Sequence, residues 1–398
     1  MLFESYSLFF EIIMFVIVFV TCRFVFQKGW LNNLLILCGN LLILTNIVTP
    51  RSIFWLSVLA LLAFGAGWAL QRKPKVWPLA LSLVLLVAAF CCRNYPLVQS
   101  FFSESFAKNV NVIEKIGLSY ILFRIIHWLV ESYRGSLRSC NLLSYFNYLF
   151  FFPTFMAGPI DTYNNFDYYV HTTRVKFHGR MAFAGVGRVF WGAVKTLLVV
   201  PLILPYAVDY HLFYDMMGAW GGFIAAALLY SAYIYIDFSG YCDIAIGMAY
   251  LMGIRTPENF ARPYLASNIS EFWKRWHITF STFLRIYVFK PLIAFFNRFS
   301  IRRYRMVVSV CAYLLTFLVC GLWHGSTFNF VLWGLWHGIG LSCYKVLRPR
   351  FLPRISSWSP KTVRSVGIIA TFLFVTIGWV FFNYSGDELL IIVKMLFS

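Results

Sequence analysis

Three of the chain's seven histidines are placed where an imidazole could do chemistry. His324 and His337 stand in an identical pentapeptide, Gly-Leu-Trp-His-Gly at 321–325 and 334–338, and His277 lies 47 residues before His324 in Trp273-Lys274-Arg275-Trp276-His277. His324 and His337 have apolar flanks, His277 follows a basic pair among aromatic residues, and an ionisable group kept in a membrane segment marks a functional path by default. A neutral imidazole there can serve as a base. Gly325, Ser326 and Thr327 follow His324 and let the backbone open, which makes His324 the reactive candidate. His337 reads as a packing or interhelical hydrogen-bonding residue, and His127, in Ile125-Ile126-His127-Trp128, as a hydrogen-bonded packing residue. His171, His178 and His211 stand in polar or basic stretches and read as solvated or interfacial.

Other chemistries find less support. Cys320, four residues before His324 and on the same helical face, could serve as an acylated thiolate with the histidine as base. No metal is expected, because HExxH and paired Cys/His spacings are absent and few carboxylates stand near these histidines. Phosphate-binding loops, dinucleotide glycine patterns and Gly-x-Ser-x-Gly elbows are also missing. The energy of the reaction must therefore arrive in an already activated substrate.

The elements that position these residues are membrane helices. Of 398 residues 60% are hydrophobic and 12% charged, against about 45–50% and roughly 25% in soluble domains, which excludes a soluble globular protein. The net charge of +19 suits cytoplasmic loops on anionic lipid rather than nucleic acid. The nine cysteines lie mostly in apolar runs and read as small buried hydrophobes. Glu4 and the lack of Lys or Arg in residues 1–7 argue against a signal peptide. Candidate spans fall at 8–22, 31–48, 52–70, 77–92, 117–130, 142–157, 184–206, 217–236, 240–253, 306–323, 328–344 and 365–383. Some are short enough to be tilted, buried or re-entrant. The expected fold is an all-α polytopic bundle of about 11 transmembrane helices, with all 398 residues in one membrane domain. Positive-inside counting puts the N-terminus outside and the basic stretches 255–305 and 345–364 in the cytoplasm. Spans 306–323 and 328–344 then form a hairpin whose tip, 321–327, points away from the cytoplasm and carries His324.

Residues 256–296 are neither an ordinary loop nor a clean span. Asn268 with Glu271 resembles a capping pair, so a helix should start near Ile269 with Trp273, Trp276, His277 and Phe280 along one face. Two placements are open. The helix either lies in the interface with an aromatic belt, or dips into the bundle as a buried re-entrant element with Lys274 and Arg275 turned to water or to carboxylates such as Asp237.

Several motifs, in order, resemble one family. They are Phe152-Pro153-Thr154-Phe155-Met156-Ala157-Gly158-Pro159-Ile160-Asp161, Asp237-Phe238-Ser239-Gly240-Tyr241, Met252-Gly253-Ile254 with Pro257-Glu258-Asn259-Phe260, Glu271 to His277, and Trp323-His324-Gly325. Over about 115–345 they are similar to the membrane-bound O-acyltransferase (MBOAT) superfamily. Gly158-Pro159-Ile160-Asp161, Ser119-Tyr120 with Phe123-Arg124, and the chain length look like its DltB branch, which exports D-alanyl groups to teichoic acids. Asp243-Ile244-Ala245-Ile246-Gly247 and Tyr133-Arg134-Gly135 look like its AlgI branch, linked to alginate O-acetylation, although the AlgI-type Arg-Asp-Tyr is replaced by Arg285-Ile286-Tyr287.

The resemblance implies a catalytic pair, His324 as the invariant histidine and His277 as the second, facing one central tunnel. Trp273, Trp276, Trp323, Asp237 and Asp161 are the expected tunnel residues. The implied donor is the phosphopantetheine thioester of a small acidic, DltC-like acyl carrier protein, or acyl-CoA, reaching the site from the cytoplasm. No bound cofactor is implied. The acceptor is a hydroxyl of a membrane-anchored substrate or of a downstream acyltransferase partner on the other face. Donors for the tetrahedral oxyanion stay open among His277, the Trp276 or Trp323 indoles and the backbone at Gly325. The implied location is the bacterial cytoplasmic membrane, and a non-enzymatic transporter or flippase is the rival reading.

Overall fold

The computed structural model describes residues 6–26, 28–95, 98, 100, 118–171, 179–298, 304–351, 353 and 357–397. Among them all regular structure is helical. The first half holds α1 (Tyr6–Phe26), α2 (Gly29–Ile47), α3 (Pro50–Arg72), α4 (Val76–Asn94), α5 (Leu118–Arg134), α6 (Leu142–Phe150), α7 (Tyr163–His171) and α8 (Gly179–Ala193). A π turn at Val194–Val199 leads into α9 (Val200–Val208), followed by α10 (Tyr214–Leu251). After an irregular strap come α11 (Ile269–Arg275), α12 (Ile278–Leu284), a π turn at Arg285–Phe289, α13 (Lys290–Phe296), α14 (Arg305–His324), α15 (Phe328–Phe351), α16 (Pro360–Asn383) and α17 (Gly386–Phe397).

Seven described stretches are long and apolar enough to cross a membrane: Gly29–Ile47, Pro50–Arg72, Gly179–Val208, Met216–Leu251, Ile278–Phe296, Arg305–His324 and Pro360–Asn383. Shorter apolar helices cover Phe10–Cys22 and Val76–Cys92. The chain is an all-α, multi-pass membrane protein. Several spans depart from their expected form. The stretches 217–236 and 240–253 are one continuous helix within α10, which is broken only near its start, where Gly218 leaves helical geometry at φ 69° and ψ 177°. Residues 142–157 do not make a span, because α6 has nine residues and a 3₁₀ turn at Phe152–Thr154 follows. Cysteines Cys38, Cys140 and Cys343 are exposed on the protein surface rather than buried, while Cys92, Cys242 and Cys320 are buried as expected.

The chain divides into two compact units. Met1–Leu197 with Gly240–Pro257 form the first. There the Arg124 guanidinium, buried on α5, donates to the carbonyls of Tyr148, Leu149 and Thr154 at 2.7, 2.7 and 2.8 Å and to Thr154 Oγ1 at 2.6 Å. It thus satisfies the orphan carbonyls at the end of α6. His127 Nε2 accepts the Tyr163 N–H at 3.1 Å, which makes it the hydrogen-bonded packing residue expected. His171 differs from expectation: it bonds Ser144 Oγ at 2.9 Å and pairs with Asp167 at 3.3 Å, so solvation is only part of its setting. His178 lies outside the described residues. Helix α8 crosses residues 240–251 of α10 through glycines. A Cβ on Gly185 would stand 2.9 Å from the Gly247 carbonyl, and one on Gly247 would stand 2.7 Å from that of Gly185. Within this seam Asp243 takes Lys195 at 2.7 Å and Arg188 at 3.3 Å.

Leu198–Ser239 with Glu258–Ser398 form the second unit. Its centre is the expected hairpin of α14 and α15. The repeated pentapeptide explains how closely the two helices approach: a Cβ on Gly321 would collide with the Phe330 carbonyl, and one on Gly334 with that of Phe317. Because the helices run antiparallel, His324 lies one turn past this crossing towards the tip and His337 one turn past it the other way.

Candidate active site

Helix α11 starts where the capping pair placed it. Asn268 Oδ1 accepts the Glu271 N–H at 2.9 Å, and Glu271 Oε2 accepts the Ser267 N–H and hydroxyl, both at 2.7 Å. Burial raises the Glu271 carboxyl, but these Ser267 bonds and the Arg275 charge outweigh it and leave the group below its ordinary value. Arg275 finds its carboxylate in Glu271 rather than in Asp237, and Lys274 is exposed.

The helix does not run on to His277. It ends at Arg275, Trp276 is extended, and His277 takes φ 43° and ψ 54° before α12 begins. This left-handed conformation costs a non-glycine residue about 1–3 kcal/mol and persists where surrounding bonds over-determine it. Asn259 supplies them. Its carbonyl accepts the Ile278 N–H at 2.9 Å, and its Oδ1 accepts from the Thr279 N–H at 3.3 Å, the Thr279 hydroxyl at 2.9 Å and His277 Nδ1 at 3.1 Å. Because the Thr279 N–H identifies Oδ1 as the acceptor, the His277 proton sits on Nδ1 and Nε2 is the basic nitrogen.

His277 and His324 share a ring. Phe280 lies 4.9 Å from the His277 imidazole and 6.2 Å from that of His324, centroid to centroid, so the two imidazoles are at most about 11 Å apart. His324 is further walled by Trp323 at 4.5 Å, Trp333 at 4.8 Å and Phe382 at 5.1 Å. Trp273 and Trp276 are buried in this unit at 7% and 4% exposure. Trp273 touches Phe317 and Trp333, and Trp276 touches Phe260 and Trp379. The buried placement of the aromatic face therefore holds, and the interfacial-belt placement does not. The face is not one helix, however. The break at Trp276 turns His277 towards Phe238 and Phe280.

His337 is fully buried among aromatic rings, so of its two expected roles it takes the packing one: neither ring nitrogen has a hydrogen-bond partner among the described residues. Cys320 is fully buried too, which disfavours it as a thiolate nucleophile. Asp237 lies half-buried on α10. Asp161 belongs to the first unit. Its carboxylate accepts both Asn165 Nδ2 contacts at 2.9 and 2.8 Å and the Thr162 N–H at 2.7 Å, and burial pushes it up to about 7. Sequence reasoning missed Asn259 as the residue holding His277, and Trp333 as the ring between the repeated histidines. The pentapeptide was the available signal for Trp333, which precedes the second copy.

Residues 76–386 match the model of the MBOAT, membrane-bound O-acyltransferase, family. The chain belongs to the membrane-bound O-acyltransferase family. Members of this family are acyltransferases, so the histidine cluster lies in a protein of acyl-transfer lineage. The chain is 31% identical over 290 residues to the teichoic acid D-alanyltransferase of Bacillus subtilis, covering 69% of this chain and 70% of that protein. It is 31% identical over 381 residues to a protein of Azotobacter vinelandii named "Probable alginate O-acetylase AlgI", covering 92% of this chain and 68% of that one. The protein of the same name from Pseudomonas aeruginosa is 31% identical over 375 residues, covering 90% and 65%. This acyltransferase thus stands equally near relatives named for D-alanyl and for acetyl transfer.

Proposed function

We propose that the protein moves a short activated acyl group from a thioester to a hydroxyl acceptor across a bacterial cytoplasmic membrane, with His324 as general base. The observation that carries this reading is the position of His324. It ends α14 at the hairpin mouth and is partly exposed, whereas His277 and His337 are buried at 3% and 0%. The acceptor oxygen attacks the thioester carbonyl carbon while its proton passes to the His324 imidazole. The carbonyl π pair moves to oxygen. Collapse of the tetrahedral species expels the thiolate, which takes the proton back from the imidazolium, leaving ester and thiol. His277, with its proton on Nδ1, is the second polar group beside Phe280, and a tunnel open to both faces would admit donor and acceptor.

D-alanyl on the phosphopantetheine arm of an acidic carrier protein is the donor we favour, from the Gly158-Pro159-Ile160-Asp161 form and the Bacillus subtilis relative. No resident cofactor is needed, since the thioester is substrate. Exposed Arg305, Lys345, Arg348, Lys361 and Arg364 would face such a carrier. A second reading, polysaccharide O-acetylation, is favoured by the 243–247 motif and the alginate O-acetylase relatives. The test offers isotope-labelled D-alanyl- and acetyl-carrier thioesters with a polyol-phosphate or polysaccharide acceptor to the purified protein. Label in an ester bond supports acyl transfer and its donor preference. Label crossing the membrane unchanged identifies a transporter.

A further inference from the structure

His337 is a polar residue that packing alone does not explain. Its imidazole lies 5.1 Å from the Trp273 ring, 5.1 Å from the Trp333 ring and 5.9 Å from Phe374. It is completely buried, and neither nitrogen meets a hydrogen-bonding group among the described residues. The indole nitrogens of Trp273 and Trp333 are buried and without partners in the same way. Other buried groups of the unit share this condition, among them the Trp379 indole and Thr316 Oγ1, and others are satisfied. Trp336, one residue before His337, donates its indole N–H to the Phe374 carbonyl at 2.9 Å, and Asn329 donates to the Phe381 carbonyl at 3.1 Å.

One of these rings, Trp333, stands next to the proposed base. Trp333 lies between the two histidines, 4.8 Å from His324 and 5.1 Å from His337. Trp273 and Trp333 are themselves 6.0 Å apart. The chemical inventory is asymmetric. Two indoles and a neutral imidazole offer three N–H donors and a single acceptor. A buried cluster of that kind suits an atom rich in lone pairs and poor in hydrogens. An ammonium group, which brings only donors, would leave the indole N–H groups unanswered.

We infer that Trp273, Trp333 and His337 form the pocket that receives the carbonyl oxygen of the acyl donor and holds its negative charge when the acceptor attacks. The inference rests on the acyl-transfer reading and deepens it. It replaces the oxyanion donors proposed from sequence, Trp276, Trp323, His277 and the Gly325 backbone, with a set one ring from His324. The charge is balanced within the step: the oxygen gains the carbonyl π pair, the acceptor's proton rests on His324, and both are returned when the thiolate leaves. A hydroxyl or carbonyl substituent on the acyl group would compete for the same donors, so the pocket selects short acyl groups with one oxygen.

The test uses the full chain in lipid nanodiscs, labelled with 5-fluorotryptophan, its Trp273 and Trp333 resonances identified with Trp273→Phe and Trp333→Phe. The probes are S-(2-oxopropyl)pantetheine, a ketone that cannot transfer its acyl group, and S-propylpantetheine, which lacks the carbonyl. The ketone should shift both resonances and the propyl compound neither. In transfer assays with acetyl- and D-alanyl-pantetheine, Trp333→Phe should lower kcat by about 10²-fold while KM stays within about threefold. His337→Gln, which keeps an N–H, should retain at least about tenfold more kcat than His337→Phe. Wild-type transfer with both resonances unmoved, or kcat within twofold of wild type in Trp333→Phe and His337→Phe, overturns the inference and leaves the acyl-transfer reading intact. Resonances that shift with the ketone in a protein that transfers no acyl group establish a carbonyl pocket and overturn the acyl-transfer reading instead.

Discussion

The imidazoles of His277 and His324 flank a single phenyl ring, that of Phe280, although 47 residues separate them in the chain. One is held by Asn259 in a left-handed backbone conformation and the other is held by aromatic rings at a hairpin mouth. The two are therefore suited to different duties. His277 has a fixed tautomer, while His324, in the reading proposed above, would take and return the acceptor's proton.

His324→Ala should insert and fold as wild type does and lose about 10²–10⁴-fold in acyl transfer. Labelled-acyl transfer at matched membrane levels checks this, and equal rates would remove His324 from the reaction.

Asn259→Ala removes the acceptor shared by His277 and Thr279 and should destabilise the protein by about 1–3 kcal/mol, the cost of stranding buried donors. It should also lower kcat by freeing the His277 tautomer. Thermal unfolding and initial rates report the two effects separately.

Glycine substitutions should divide sharply. Gly321→Ala and Gly334→Ala each drive a methyl into a facing carbonyl and should cost about 1–3 kcal/mol or more. Gly65→Ala meets open space within α3 and should stabilise by about 0.5–1 kcal/mol. Unfolding temperatures in one detergent would rank the three.

Asp161 gives stability a pH dependence. Its carboxyl is raised to about 7 in the folded protein, so the folded state binds the proton more tightly than the unfolded one. The corresponding stabilisation is complete below about pH 4 and is lost as pH rises to about 7. Wild type should therefore lose unfolding temperature relative to Asp161→Asn between pH 4 and 7, and a constant difference would contradict the assignment.

Charge reversal at Arg302, Arg303 and Arg305 should weaken association with an acidic carrier protein and flatten its salt dependence, since such charges act mainly on encounter. Arg305 is exposed at the start of α14, and the other two lie outside the described residues. Binding measured at two ionic strengths decides it.

What the sequence disclosed followed from local chemistry. Asn268 and Glu271 announced α11, and the apolar runs around the glycine repeat announced the hairpin of α14 and α15. The break at His277 was not legible, because a left-handed residue there depends on Asn259, 18 residues away, and not on its neighbours. Helix α17 was missed although Glu388 caps it by accepting the Ser385 N–H, since its 12 residues fall short of a span. The fusion of 217–236 with 240–253 was hidden by Asp237, Ser239 and Gly240, polar or small residues that read as a turn.

The seam of α8 and α10 has a bearing on how the chain is built into the membrane. Arg188 and Lys195 are made first, in an apolar stretch where each charge costs about 2.5–3.5 kcal/mol to insert at a helix centre. Their carboxylate, Asp243, emerges from the ribosome 48 residues after Lys195. The two basic charges are thus neutralised by a residue made well after them, and glycines on both helices let the later partner close against the earlier one at backbone distance.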